Sequence, residues 1–136
     1  MKTGLLIITH NRIGAELLAT ATAMLGQCPL PARVLPVTTA CDPETLQRDA
    51  EALIAELEAG RGVIVLTDMY GSTPANVARR LQQAHGEVDV VTGVNLPMLV
   101  RLLNYPELDR HGLLEKAISG GQDGIFICHD GEDGDS

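Results

Sequence analysis

The sequence predicts an α/β fold built on one parallel sheet. Short apolar runs alternate with longer stretches in which apolar residues recur at helical spacing, and prolines and glycines separate them. Strands that alternate with helices in this way form parallel sheets with right-handed crossovers. A chain of 136 residues is long enough for one core and too short for two ordinary domains. We assign residues 1–128 to a single domain.

Five apolar runs predict the strands. The first, residues 5–8, and the third, residues 63–66, are four apolar residues in a row without polar alternation. This pattern is typical of strands that are buried on both faces. Both runs end abruptly in polar residues. The other strands are expected at residues 33–37, 88–94 and 124–128.

Apolar residues at helical spacing, together with start and stop signals, predict five helices. The first covers residues 13–25 and stops at Gly26. The second starts at Asp42, an N-cap followed by proline at the first helical position, and ends near Gly60. The others are expected from Pro74 to about Ala84, over residues 98–103, and over about residues 107–119, before Gly120 and Gly121.

The strand order determines which polar residues meet. For four parallel strands we expect the flavodoxin-like order 2-1-3-4, in which the first and third strands are neighbours and their following helices lie on opposite faces. Open sheets bind ligands at such a switch point. The residues beyond these two strand ends are His10 and Asp68. Because neighbouring strands lie roughly 4.8 Å apart, we expect a hydrogen bond between them.

His10 and Asp68 together indicate a catalytic pair. Either residue alone at a strand end is more often an ordinary surface or capping residue. A histidine nucleophile needs one ring nitrogen unprotonated, and a carboxylate that accepts the N–H of the other nitrogen selects that tautomer. The carboxylate also stabilises the positive charge that develops on the ring during attack.

The segment Gly71, Ser72 and Thr73 predicts a phosphate-binding loop. It precedes a helix, whose N-terminus has unsatisfied backbone N–H groups and the positive end of the helix dipole. Gly71 allows close backbone approach, and the two hydroxyl groups add donors. On its own the segment is more simply an ordinary capped helix. Beside His10 and Asp68 it predicts a phosphohistidine intermediate.

Composition excludes several other classes of function. A net charge of −8 argues against a nucleic acid or an anionic membrane as partner. The N-terminal apolar run is too short for membrane insertion. Cys28, Cys41 and Cys128 are scattered without a C-x-x-C spacing, which favours structural thiols in the cytoplasm. No cluster has metal-ligand spacing, so we expect no metal and no cofactor. Asn95 either contacts a partner or caps the next helix.

Three segments resemble a known family. His10 after its short strand, residues 67–76 and residues 93–99 are similar to the enzyme IIA components of the mannose (mannose/fructose/sorbose) class of the bacterial phosphotransferase system. The resemblance covers about residues 2–128. It implies a phosphotransferase whose His10 accepts a phosphoryl group from the phosphocarrier HPr and passes it to a IIB component.

The resemblance also implies roles for the other residues. Asp68 matches the carboxylate that partners the histidine, and Gly71, Ser72 and Thr73 match the loop around the phosphoryl group. A homodimer is implied in which the strand at residues 124–128 is exchanged between subunits. Asn11 replaces a residue that is commonly glycine, and Asn tolerates left-handed backbone angles well.

Transport and regulation both remain open. No IIB domain follows, and residues 129–136 form an acidic tail that we expect to be disordered. Either a separate IIB component and permease exist, or the protein is a stand-alone regulatory IIA whose phosphorylation state is the signal. A hydrolase or small-ligand binder of the same fold is less favoured, because the predicted loops lack a second general acid or base.

Overall fold

Alternating strands and helices form a three-layer α/β structure. The computed structural model describes residues 1–129, so the predicted acidic tail lies outside the described residues apart from His129. The strands are β1 (Gly4–His10), β2 (Ala32–Val37), β3 (Val63–Thr67) and β4 (Val88–Thr92). The helices are α1 (Ile13–Leu25), α2 (Pro43–Leu57), α3 (Thr73–Ala84), α4 (Leu96–Leu103) and α5 (Arg110–Asp123).

The sheet has the predicted strand order. All four strands are parallel, in the order β2-β1-β3-β4. On one side of β1 the pairing with β3 ends at Ile8 opposite Thr67, whereas on the other side His10 still pairs with Val37 of β2. His10 is therefore the last residue of the strand and does not lie beyond it, because β2 extends the ladder by two residues.

Each face of the sheet is covered by its own helices. Leu5 and Ile7 of β1 are buried in a core with α1, α4 and α5, whereas Leu6 and Ile8 are buried in a second core with α2 and α3. Side chains alternate between the faces of a strand, so His10 faces the α2–α3 layer. Burial of this apolar surface is the main force that holds the strand ends in place.

The predicted start and stop signals mostly act as expected. Gly26, in the left-handed region at φ 82°, ends α1. The Asp42 side chain accepts a hydrogen bond from Thr45 N at the start of α2. The Asn95 side chain accepts one from Met98 N and donates one to Gly121 O, which favours its capping role.

Helix α5 differs from its predicted bounds of residues 107–119. It begins at Arg110, because Asp109 caps it by accepting a hydrogen bond from Gly112 N, and it continues through Gly120 and Gly121 to Asp123. A Cβ atom on Gly120 would lie 2.6 Å from the Arg101 Cβ. These glycines therefore allow α4 and α5 to pack closely and do not terminate the helix.

The predicted fifth strand is absent from the described part of the single chain. Gly124 ends α5, and residues 125–129 have no regular secondary structure. Three large apolar side chains in this segment are exposed to solvent: Ile125, Phe126 and Ile127. A strand requires a neighbour for its backbone groups, and residues 1–129 of the same chain provide none for this segment. Exchange of the segment between subunits remains a prediction.

Candidate functional site

His10 and Asp68 form a hydrogen-bonded pair at the carboxyl ends of β1 and β3. The Asp68 Oδ2 lies 2.8 Å from His10 Nδ1 and also accepts the His10 backbone N–H at 3.0 Å. The His10 side chain is 43% exposed, whereas that of Asp68 is 11% exposed. The hydrogen bond predicted from the strand order is confirmed, and it leaves one edge of the imidazole open to solvent.

The charge state of Asp68 determines the tautomer of His10. Burial favours a raised pKa for the Asp68 carboxyl, but the hydrogen bonds from the His10 ring and backbone outweigh burial and lower it. At neutral pH Asp68 is therefore ionised and can only accept hydrogen bonds. The proton of a neutral imidazole is accordingly on Nδ1. The Nε2 atom then carries a free lone pair, as a nucleophile requires.

The N-terminus of α3 lies beside this pair. Gly71 takes a left-handed backbone at φ 80°, and Thr73 lines the same cleft as His10. The Ser72 hydroxyl donates to Met69 O at 2.6 Å, so its proton is used within the loop. Ser72 is the N-cap residue but makes no side-chain capping hydrogen bond. The first backbone N–H groups of α3 therefore have no side-chain cap.

The cleft beside His10 has a volume of about 330 Å³. Sequence reasoning missed one of its walls, the β2–α2 loop, which contributes Thr38, Thr39 and Cys41. The signal for it was available, because β2 neighbours β1 in the predicted order and its following loop must lie at the same sheet edge. Hydrogen bonds from the Thr38 hydroxyl and backbone N–H lower the pKa of Cys41.

Asn11 completes the cleft on the side of α1. Its φ of 47° is left-handed, as predicted, and its backbone N–H donates to Val37 O at 2.9 Å. Among the described residues that line the cleft there is no lysine or arginine. Its wall therefore combines the imidazole of His10 and neutral polar side chains with the apolar residues Val37, Pro43 and Leu46.

The rim around His10 is apolar and exposed. Ile13, two residues after Asn11, begins α1, and Met69 and Tyr70 follow Asp68. All three are exposed large apolar residues, and the Tyr70 side chain has the Arg79 guanidinium 6.0 Å from its ring centre. Exposed large apolar and aromatic side chains grouped in this way are typical of surfaces that bind other proteins.

Most of the chain matches the model of one protein family. Residues 4–117 match the family model described as "EIIA-man: PTS system fructose IIA component", where PTS denotes the phosphotransferase system. The chain belongs to this family. Its members are phosphotransferases, and membership supports a phosphocarrier role in a sugar phosphotransferase system.

Individual relatives agree with the family. The chain is 32% identical over 131 residues to the PTS system mannose-specific EIIAB component of Escherichia coli (strain K12), an alignment that covers 92% of this chain and 39% of that protein. The mannose/sorbose-specific IIA subunit of Enterococcus faecalis has a TM-score of 0.85 and 27% identity, with 97% and 98% of the two chains covered. The PTS IIA protein associated with the fucose utilization operon of Streptococcus pneumoniae has a TM-score of 0.81 and 28% identity, with 93% of each chain covered.

Residues 1–129 contain neither a metal-binding cluster nor a membrane-spanning helix. No group of three or more histidine, cysteine, aspartate or glutamate side chains is placed to hold a metal ion. None of the helices in this part of the chain is long and apolar enough to span a membrane.

Proposed function

We propose that this protein carries a phosphoryl group on Nε2 of His10. The donor is the phosphohistidine of HPr, and the acceptor is a histidine of a IIB component. The observation that supports this proposal is the Asp68–His10 pair, in which Asp68 Oδ2 lies 2.8 Å from Nδ1 and so favours the tautomer whose lone pair is on Nε2. Because HPr is the donor, we place the protein in the cytoplasm.

The transfer is a displacement at phosphorus between two imidazoles. The lone pair of His10 Nε2 forms a new P–N bond while the P–N bond of the donor breaks, with the two nitrogens roughly in line. The donor ring, protonated at its other nitrogen, leaves as neutral imidazole. The His10 ring becomes a phosphorylated imidazolium, and its Nδ1–H remains bonded to the Asp68 carboxylate. No proton has to move in this step.

Asp68 acts on the charge that appears in this step. The ring of His10 is neutral before attack and positive afterwards, so a fixed carboxylate at 2.8 Å stabilises the product more than the reactant. Onward transfer of the phosphoryl group to the acceptor returns the His10 ring to neutrality. The P–N bond therefore stays reactive enough for the phosphoryl group to be passed on.

The N-terminus of α3 is proposed to bind the phosphoryl oxygens. Its first backbone N–H groups have no side-chain cap, and Thr73 faces the His10 cleft. Backbone donors at the positive end of a helix dipole stabilise the negative charge of a transferring phosphoryl group. Gly71 and Ser72 contribute through the turn that presents these groups, since the Ser72 hydroxyl proton is already donated to Met69 O.

A protein partner fits the rim better than a small molecule. The Tyr70 side chain is 69% exposed and Met69 is 64% exposed, beside a histidine that solvent can reach. Exposed apolar and aromatic side chains next to His10 give a docking surface from which a partner's histidine can reach Nε2. HPr and the IIB component would use this surface in turn.

We also propose a homodimer with exchange of the C-terminal segment. β4 pairs only with β3 in the described chain, so its other edge is open. Residues 125–128 are apolar and exposed at the end of α5, and an open edge accepts a further strand. Pairing of this segment with the partner's sheet would cover both features.

Labelling with phosphoenolpyruvate tests the phosphocarrier role. The protein is incubated with enzyme I, HPr and radiolabelled phosphoenolpyruvate, beside His10→Ala and beside His85→Ala as a control histidine distant from the cleft. We expect wild type and the control to take up one acid-labile, base-stable phosphate, and His10→Ala to take up none. Equal labelling of His10→Ala would contradict the proposal. Addition of a IIB component then separates transport from regulation, because only a transport component loses its label to it.

A further inference from the structure

Asn11 has a backbone conformation that residues other than glycine rarely adopt, although Asn tolerates it better than most. Within residues 1–129 it is the one non-glycine residue with a positive φ, at 47°, whereas the other positive values belong to glycines. The turn from β1 into α1 needs this angle, because Asn11 N–H is bonded to Val37 O and α1 begins two residues later. Glycine would meet the same need without a steric cost.

The Asn11 side chain gains nothing from packing that would offset this cost. It is exposed, and its carboxamide makes no hydrogen bond to another described residue. Asn11 directly follows His10 in the chain and lines the same cleft. Strained residues at a site with no structural reward indicate a functional role.

The chemistry of the cleft indicates what that role is. A phosphoryl group on His10 Nε2 brings about two negative charges into the cleft, and no lysine or arginine is among the described residues that line it. Within this lining, neutral donors are therefore the groups that can stabilise that charge. Thr73 and the α3 N-terminus lie on one side, and Asn11 is the amide donor on the side of α1.

We propose that the Asn11 carboxamide N–H donates a hydrogen bond to the phosphoryl group during its transfer to and from His10. This inference rests on the proposed phosphocarrier function. A hydrogen bond to a charged phosphoryl oxygen is stronger than one between neutral groups. It would strengthen as charge spreads over the equatorial oxygens in the transition state.

Two substitutions distinguish hydrogen bonding by the Asn11 carboxamide from the effect of Asn11 on the turn between β1 and α1. Asn11→Gly keeps the left-handed angle and removes the amide, and Asn11→Asp keeps an angle-tolerant side chain but replaces the donor by a carboxylate. Asn104→Asp adds the same charge at the exposed end of α4, away from the cleft, and is the matched control. Initial rates of labelling are measured against the concentration of phospho-HPr, with melting temperatures alongside.

We expect Asn11→Gly to lower kcat for labelling about tenfold, with KM for phospho-HPr and the melting temperature nearly unchanged. Asn11→Asp should lower the rate of labelling more than Asn11→Gly does. Added salt should restore part of that rate, because it screens the carboxylate from the phosphoryl group. Asn104→Asp should label like wild type at every salt concentration.

The outcomes that overturn the inference are distinct. If Asn11→Gly labels as fast as wild type, Asn11 only shapes the turn. If the loss lies in KM alone, Asn11 contacts the partner protein and not the phosphoryl group. If Asn11→Gly does not fold, an Asn11→Asp rate equal to that of wild type overturns the inference. A wild-type protein that takes up no label on His10 refutes the proposed function itself, before Asn11 is considered.

Discussion

Replacing Asp68 by asparagine tests the proposed mechanism with the smallest change in shape. The carboxylate oxygen accepts two hydrogen bonds, one from His10 Nδ1 at 2.8 Å and one from its backbone N–H at 3.0 Å. An amide oxygen can still accept these bonds, but it carries no charge. An amide nitrogen turned toward Nδ1 would instead favour the wrong tautomer and place the proton on Nε2.

The size of the effect follows from the geometry of the pair. A hydrogen bond to a charged group contributes about 1.5–3 kcal/mol. The Asp68 side chain is only 11% exposed, so solvent screens the interaction weakly. If this energy applies mainly to the positive ring formed on transfer, labelling of Asp68→Asn should be about ten- to 150-fold slower than labelling of wild type. Either amide orientation contributes to the same decrease.

The assay is the initial rate of labelling from phospho-HPr, with circular dichroism to confirm the fold. Asp109→Asn is the matched control, because Asp109 also accepts a backbone hydrogen bond, at the start of α5, but lies outside the cleft. It should label at the wild-type rate. A folded Asp68→Asn protein that labels as fast as wild type would refute the role of the carboxylate.

Three further predictions concern stability and assembly. Burial of Asp68 favours a raised pKa, but the hydrogen bonds from His10 outweigh burial and lower the pKa of Asp68. The ionised Asp68 carboxylate therefore stabilises the fold above its unfolded pKa of about 3.9, and this stabilisation is lost as the pH falls through the folded value. The free energy of unfolding, measured by urea titration, should therefore decrease more steeply below about pH 4 for wild type than for Asp68→Asn, and parallel curves would contradict this. Gly120→Ala should lower the free energy of unfolding by about 1–3 kcal/mol, since its Cβ would lie 2.6 Å from the Arg101 Cβ. The control Gly86→Ala meets no atom within 4 Å and should change the melting temperature little. Equal melting temperatures of the two variants would show that α4 and α5 can separate freely. Truncation after Gly124 should convert a dimer to a monomer in light scattering, and an unchanged mass would contradict strand exchange.

The sheet and the hydrogen-bonded pair of His10 and Asp68 were accessible from sequence because they depend on periodicity and topology. Unbroken apolar runs identified β1 and β3, and the order 2-1-3-4 then required His10 and Asp68 to be neighbours. Parallel strands place their carboxyl ends at one edge. No knowledge of side-chain packing was needed for that step.

The parts that were missed depend on packing that has no periodic signal. Glycine predicts the end of a helix and also permits close helix contact, and only the structure shows that Gly120 and Gly121 do the latter. The strand order places the β2–α2 loop at the edge of the sheet where His10 lies, but no periodic pattern specifies the loop conformation that brings Thr38 and Cys41 into the cleft. The length of β1 was underestimated because pairing of His10 with β2 is a tertiary property.

The position of the phosphoryl group on the histidine ring tests the central claim most directly. The protein is labelled with ¹⁵N-histidine, phosphorylated through enzyme I and HPr, and examined by ¹H–¹⁵N and ³¹P NMR, which distinguish Nε2 from Nδ1 phosphohistidine. Because Asp68 holds Nδ1 at 2.8 Å, the account predicts a single phosphohistidine at His10 with phosphorus on Nε2 and a proton on Nδ1. Phosphorus on Nδ1 of His10, or on another residue, would contradict it.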